Sequence, residues 1–316
     1  MPFLQPEMQA SILGGWDLAV CSCLFLQGVL CTQFANYMTL NKRDTIRMKL
    51  FVAGLALLTT LKSLQSLAIM WIQNVILFGD AEAGSNIWVT HWVWRITLIL
   101  EATTAFYVQM FFCRRLWTIS SRNTSLAIIC GTLFLGGLVS GVYGTVDIFT
   151  NSLWSTTRSI GTHLGVVLCG DLLLTGSTIF CLLRHSHECA QSRGPTATIL
   201  SRLCRVTLQS AAPAALCALI NFVADMRLNA TTWTPGPVPF DFIGNTVLPQ
   251  LHAWSAMWTL NSREEIGIAA GNCSYTVDLK TSAGGSSDSE NTRHQHHDNP
   301  GPLAKDQLDD PPGSMA

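Results

Sequence analysis

The feature that most constrains this chain is where its charges fall. Lys, Arg, Asp and Glu are scarce as far as about residue 260, and they cluster between apolar blocks of twenty or more residues. A hydrocarbon core of about 30 Å takes roughly 20 helical residues at about 1.5 Å each, so every such block is long enough to cross it. The blocks run over about 13–36, 50–72, 90–112, 125–148, 161–183, 203–224 and 240–260. The fold class this predicts is all-α: a polytopic membrane protein folded as a seven-transmembrane-helix bundle. Composition adds little to that, because a 48% hydrophobic content is ordinary for a globular chain.

The expected organisation is a short extracellular or lumenal N-terminus over 1–12, a transmembrane domain over 13–263 and a cytosolic tail over 264–316. Residues 1–12 hold no Lys or Arg, and the apolar run that follows outlasts the hydrophobic part of a signal peptide. It reads as a retained span. Beyond Arg263 the chain turns to Gly, Ser, Asp, His and Pro, with too little apolar surface to offset chain entropy, and it reads as disordered. His294, His296 and His297 there read as part of a solvated polar tract.

Positively charged short loops stay on the cytoplasmic side. The loop after the first block carries Lys42, Arg43, Arg47 and Lys49; the third loop has Arg114, Arg115 and Arg122; the fifth has Arg184, Arg193 and Arg202. The three alternate loops offer only Arg158 and Arg227. This asymmetry predicts the N-terminus outside and the C-terminus in the cytosol, in the plasma membrane or an endomembrane. Asn229 begins an N-glycosylation sequon in the sixth loop, on the outer side in this topology, whereas the sequons at Asn123 and Asn272 face the cytosol. Tryptophans at 16, 71, 88, 92, 94, 154 and 233 gather near the outer block ends, as an interfacial aromatic belt does.

A net charge of -1 and the lack of a basic domain leave nucleic acid out as a partner. Of the eleven cysteines most lie inside the blocks, and no CxxC pair suggests a metal, so neither a disulfide framework nor a metal or cofactor site is expected. Gly136, Ser140 and Gly144 share one stripe of the fourth block, with Gly137 and Gly141 beside it. Small residues four apart let helices approach closely in lipid. Here they predict bundle packing first, and an oligomer contact through Gly136, Ser140 and Gly144 second.

Four ionisable residues lie deep in the blocks: Lys62, Glu101, Asp171 and His252, each ten to twelve residues from a block end and all near the bilayer midplane. A charge at that depth costs roughly 2.5–3.5 kcal/mol on insertion scales, so such groups face the bundle interior and pair. Lys62 is expected to pair with Glu101 or Asp171, with the remaining acid protonated or bonded to His252. This candidate intramembrane polar cluster is either a ligand, ion or proton site or a clasp that sets helix register. Gln27, Gln65, Gln109, Asn245 and Gln250 add hydrogen-bonding capacity.

Two stretches, "QMFFCRRLWTIS" (109–120) and "LPQLHAWSAMWTLNSR" (248–263), resemble segments of a large family of basidiomycete seven-helix membrane proteins of unknown function. Asp171 in "CGDLLLTGSTIFCLL" matches that family's acidic position in helix five, and the basic run Lys42–Lys49 matches its first inner loop. Where the relatives tend to read Leu-Asp-Thr-Leu-His in helix two, this chain has Leu58-Thr-Thr-Leu-Lys62. The resemblance implies a fungal seven-helix protein and assigns no activity.

Among function classes, receptor-like sensing or signalling, with an unidentified small-molecule ligand and the lipid bilayer as partners, is the leading expectation. The alternative is a transporter or channel using the midplane polar cluster. The third block ends in Cys113-Arg-Arg-Leu rather than Asp/Glu-Arg-Tyr, and the seventh has no lysine for a Schiff base, which speaks against rhodopsin-like receptors and retinal proteins. An enzyme is not expected, since neither HExxH nor GxSxG is present and the histidines are dispersed.

Overall fold

The computed structural model describes residues 6–40, 44–120, 124–150, 153–190, 212–227, 236 and 238–283. Chain contacts divide the protein into two units, residues 1–271 and 272–316. The described residues are helical without strands, and their long helices are α1 (Pro6–Leu40), α2 (Ile46–Trp71), α3 (Thr97–Ile119), α4 (Thr124–Thr150), α5 (Leu153–Ala190), α6 (212–227) and α7 (Val238–Ala283). Five stretches are long and apolar enough to cross a membrane: Pro6–Leu40, Ile46–Ile76, Trp92–Thr118, Thr124–Thr150 and Arg158–Cys181.

How side chains sort between inside and outside shows the solvent these helices are built for. On α2 the outward face carries Leu57, Leu61 and Leu64, the first of them 62% exposed, while Thr59, Lys62, Ser63 and Ser66 are buried. Phe25 is 72% exposed and Val139 60%. A water-soluble bundle would reverse that distribution. An apolar exterior over a partly polar interior matches lipid outside and hydrogen bonds inside.

Between α2 and α3 the chain turns in a compact way. α2 passes into a π-helical turn over Ile72–Ile76, and Gly79 follows at φ 87, a left-handed conformation that favours glycine. Asp80 then accepts a hydrogen bond from the Ala83 N–H at 2.9 Å, capping the short helix Ala81–Ser85. Two more short helices, Ile87–Thr90 and Trp92–Arg95, lead into α3. Near this end Trp16, Val20, Ile69, Ile87 and Val93 form a core whose Trp16 ring meets Phe242 edge-on at 5.3 Å. Toward the opposite end Leu30, Tyr37, Leu55, Val108 and Met257 join α1, α2, α3 and α7.

The small-residue stripe of α4 is used inside the chain. Gly137 packs toward Val167, a Cβ on Gly141 would run into the Ala102 methyl, and one on Gly144 would meet Leu98 at 2.7 Å. Ser140 bonds the Gly137 carbonyl at 2.8 Å and lies 3.4 Å from His163 Nδ1. The buried edge is thus Gly137, Gly141 and Gly144; of the stripe expected for an oligomer, Gly144 is buried, Ser140 half-buried and Gly136 exposed.

At its far end α7 continues to Ala283, so 264–283 are helical where irregular chain was expected from 264. Glu264, Glu265, Ala269 and Ala270 are good helix formers, and the run rich in Gly and Ser begins only near Thr281. Residues 284–316 and the Asn229 sequon lie outside the described residues.

Candidate functional site

All four candidate residues turn inward: Lys62 is 1% exposed, Glu101 4%, His252 5% and Asp171 7%. They do not form a single cluster. Glu101 is the carboxylate whose charge acts on Lys62, and Lys62 the cation whose charge acts on Glu101. The two are beyond salt-bridge contact, which extends to 4.0 Å, and Glu101 Oε1 has no hydrogen-bond partner. Asp171 instead belongs with His252 and Gln109. Gln109 Nε2 donates to Asp171 Oδ1 at 2.8 Å, and His252 Nε2 lies 3.5 Å from Asp171 Oδ2.

The separation follows from α3, which supplies one member to each group. Glu101 sits in the second turn of α3, and Gln109 comes eight residues later, about 12 Å further along the axis at about 1.5 Å per residue. The interior therefore holds two polar levels: Lys62 with Glu101, and Asp171 with His252 and Gln109.

Around the first level lie further polar groups from α6 and α7. Asp241 interacts electrostatically with Glu101 and Asp225, and Cys217 with Glu101. Asn221 Nδ2 donates to Asn245 Oδ1 at 2.8 Å, and Asn245 Nδ2 donates to Asp241 Oδ1 at 3.2 Å, linking the two helices. Asn221 can sit there because Gly244 leaves it room, and a Cβ at that glycine would fall on the Asn221 amide. Asn221 and Asp241 were not among the residues singled out from sequence. The available signal was Cys217, Asn221 and Asp225 at four-residue spacing, one polar line on an otherwise apolar helix.

Gln250 ties α7 to α1 and α2. Its Nε2 donates to Ser63 Oγ at 3.0 Å, to Cys23 Sγ at 3.5 Å and to the Thr59 carbonyl at 3.4 Å. Gln65 Nε2 reaches the Val93 carbonyl and Thr97 Oγ1, each at 2.7 Å, fastening α2 to the start of α3. His163 Nδ1 bonds the Gly137 carbonyl at 2.8 Å, so this histidine is a fastener between α5 and α4. Asn261 donates to the Gln33 side chain at 2.6 Å, which ties this part of α7 to α1, and Ser262 donates back to the Trp258 carbonyl of its own helix at 2.6 Å.

The second level differs in having space beside it. A cavity of about 40 Å³ is lined by Gln109, Asp171, Thr175, Thr178, His252 and Ser255, among others. A polar void needs roughly 10–15 Å³ to hold one water, so this one accepts a few heavy atoms and no more. Asp171 Oδ2 and His252 Nε2 are buried there without a hydrogen bond, which gives a small guest one acceptor and one ring nitrogen to address. The lining residues Phe112, Leu174, Thr178, Ala214 and Ser255 all lie at the level of the pair or toward the side where α3 finishes. The cavity extends from the pair along α5 and α7 toward that end.

A protein-family profile, described as a family of unknown function (DUF6534), matches residues 167–265. No curated protein and no solved structure matches the chain. The matched stretch takes in Asp171, His252 and the Leu-Asn-Ser-Arg segment, and leaves Lys62, Glu101 and Gln109 outside it. What stands on these observations is a chain whose described residues are all helical, with several helices long and apolar enough to cross a membrane, and which matches a domain of unknown function over residues 167–265.

Proposed function

We propose that the chain spans the membrane seven times, with its N-terminus outside and its C-terminus in the cytosol, and that it acts as a receptor-like sensor of a small hydrogen-bonding ligand. α6 and α7 complete the seven spans. Their polar residues are used against neighbouring helices, as in the Asn221–Asn245 bond, and the alternating Lys and Arg of the loops supports the orientation. No catalytic role is assigned to any residue.

The observation that carries the sensing reading is the small cavity beside Asp171 and His252. A sensor needs a pocket and an element that responds, and a transporter needs in addition access from both faces in turn. A guest that hydrogen-bonds Asp171 and His252 changes the contact between α5 and α7, and α7 leads directly into the cytosolic part of the chain. The size of the cavity limits that guest to a few heavy atoms, in the range of ammonium, methylammonium or acetamide.

The test uses the purified full chain in detergent, titrated with those three probes while thermal unfolding is followed. A binder at about 100 times its Kd stabilises by about 2.7 kcal/mol. A saturable rise in melting temperature with at least one probe, absent in Asp171→Asn, is the expected result. No rise with any probe, or an equal rise in Asp171→Asn, rejects the ligand site. Asp171-dependent uptake of the probe into proteoliposomes rejects sensing in favour of transport.

A further inference from the structure

On the outer surface of unit one, α4, α5 and α6 leave a groove of about 600 Å³ that the polar interior does not use. Its walls are Leu133 of α4 and Phe222 and Met226 of α6; its floor is the strip of α5 through Gly161, Gly165 and Cys169. The glycines make it deep. The Phe222 ring lies 3.2 Å from where a Cβ on Gly165 would stand, so a larger residue there would close the trough. Its lining is almost wholly apolar except at one end, where Arg158 lines it.

One length and one charge point to the occupant. Arg158 to Cys169 is eleven residues of α5, about 16 Å at about 1.5 Å per residue, which is half of a hydrocarbon core of about 30 Å. The groove is therefore one leaflet deep, with the arginine at headgroup level. Arg158 is exposed, and among the described residues its guanidinium makes no ion pair or hydrogen bond. A guanidinium takes a phosphate through two parallel N–H donors.

We propose that this groove binds one membrane phospholipid, with its phosphate on Arg158 and an acyl chain laid along Gly161, Gly165 and Cys169. Charge complementarity at one end and a one-leaflet apolar trough below it select a phospholipid over a second protein helix, which would leave the arginine facing apolar surface. In the topology proposed above this is the outer leaflet, but the site itself does not depend on which leaflet it is.

The experiment is native mass spectrometry of the full chain released from detergent after incubation with dioleoyl-phosphatidylglycerol or with dioleoylglycerol, which has the same chains and no phosphate. The expected result is one retained phosphatidylglycerol in clear excess over dioleoylglycerol. Arg158→Gln lowers that retention about fivefold and leaves dioleoylglycerol unchanged, the effect of one cation at a lipid surface. Arg158→Lys recovers part of the retention, and Thr162→Trp, which fills the trough, lowers both lipids. Variants are compared only where their melting temperature equals that of the parent, and Arg158 is exposed enough for Arg158→Gln to meet that condition. Equal retention of the two lipids by the parent, or no change in Arg158→Gln, overturns the proposal. A dimer that Thr162→Trp disperses with lipid counts unchanged also overturns it, in favour of a second copy of the chain.

Discussion

Lys62 offers the sharpest test of how the interior is organised. Lys62→Met keeps the length of the stem and removes the ammonium from a site that is 1% exposed, leaving Glu101 without the one cation among the described residues that acts on it. Breaking a buried pair from one side costs about 3–5 kcal/mol when the two groups touch. Here they lie beyond 4.0 Å, and at an effective dielectric of about 20 their attraction stays below about 4 kcal/mol. Lys62→Met and Glu101→Gln are each expected to cost about 2–4 kcal/mol, and the double variant about 1–3 kcal/mol less than their sum. The assay is reversible unfolding of the full chain in mixed micelles, followed by tryptophan fluorescence. Asp171→Asn is the control partner, because Asp171 bonds Gln109, whose backbone stands about 12 Å along α3 from Glu101, and changes without shared partners add within about 0.5 kcal/mol. Additive costs for Lys62→Met with Glu101→Gln would refute the pairing. Strong coupling of Lys62→Met to Asp171→Asn would refute the division into two levels.

Two further outcomes are expected. Gly141→Ala drives a methyl into Ala102 and presses on the His163 ring at 3.3 Å, so it should destabilise by about 1–3 kcal/mol in the same assay, with Ala102→Gly restoring most of the loss; Gly131→Ala, with open space at its Cβ, is the neutral comparison. Asn229→Gln should abolish a glycosidase-sensitive mobility shift on gels of the protein made in a eukaryotic secretory system, while Asn123→Gln leaves it intact; a shift that survives Asn229→Gln contradicts the proposed orientation.

Much of the site was legible in the chain because intramembrane charge is rare and expensive. Lys62, Glu101, Asp171 and His252 stand out against apolar neighbours, and burial follows from the cost of leaving them in lipid. The neutral polar residues were less legible. Asn221 and Ser63 are of types that also occur unremarkably in helices, and only their partners on other helices, Asn245 and Gln250, give them meaning. The stripe on α4 was visible as small residues, yet which edge of it is buried depended on where α3 and α5 place Ala102, Leu98 and Val167.

By itself, then, the order of apolar blocks and basic loops determined that this is a helical protein built for lipid, since hydrophobic length and charge cost act on each segment alone. Which acid faces Lys62, and that Asp171 goes instead with His252 beside a small cavity, was decided only by tertiary structure. The eight residues between Glu101 and Gln109 on α3 hold the two groups apart. Electrostatic partnership is a matter of distance between helices, and no single helix carries that distance in its own sequence.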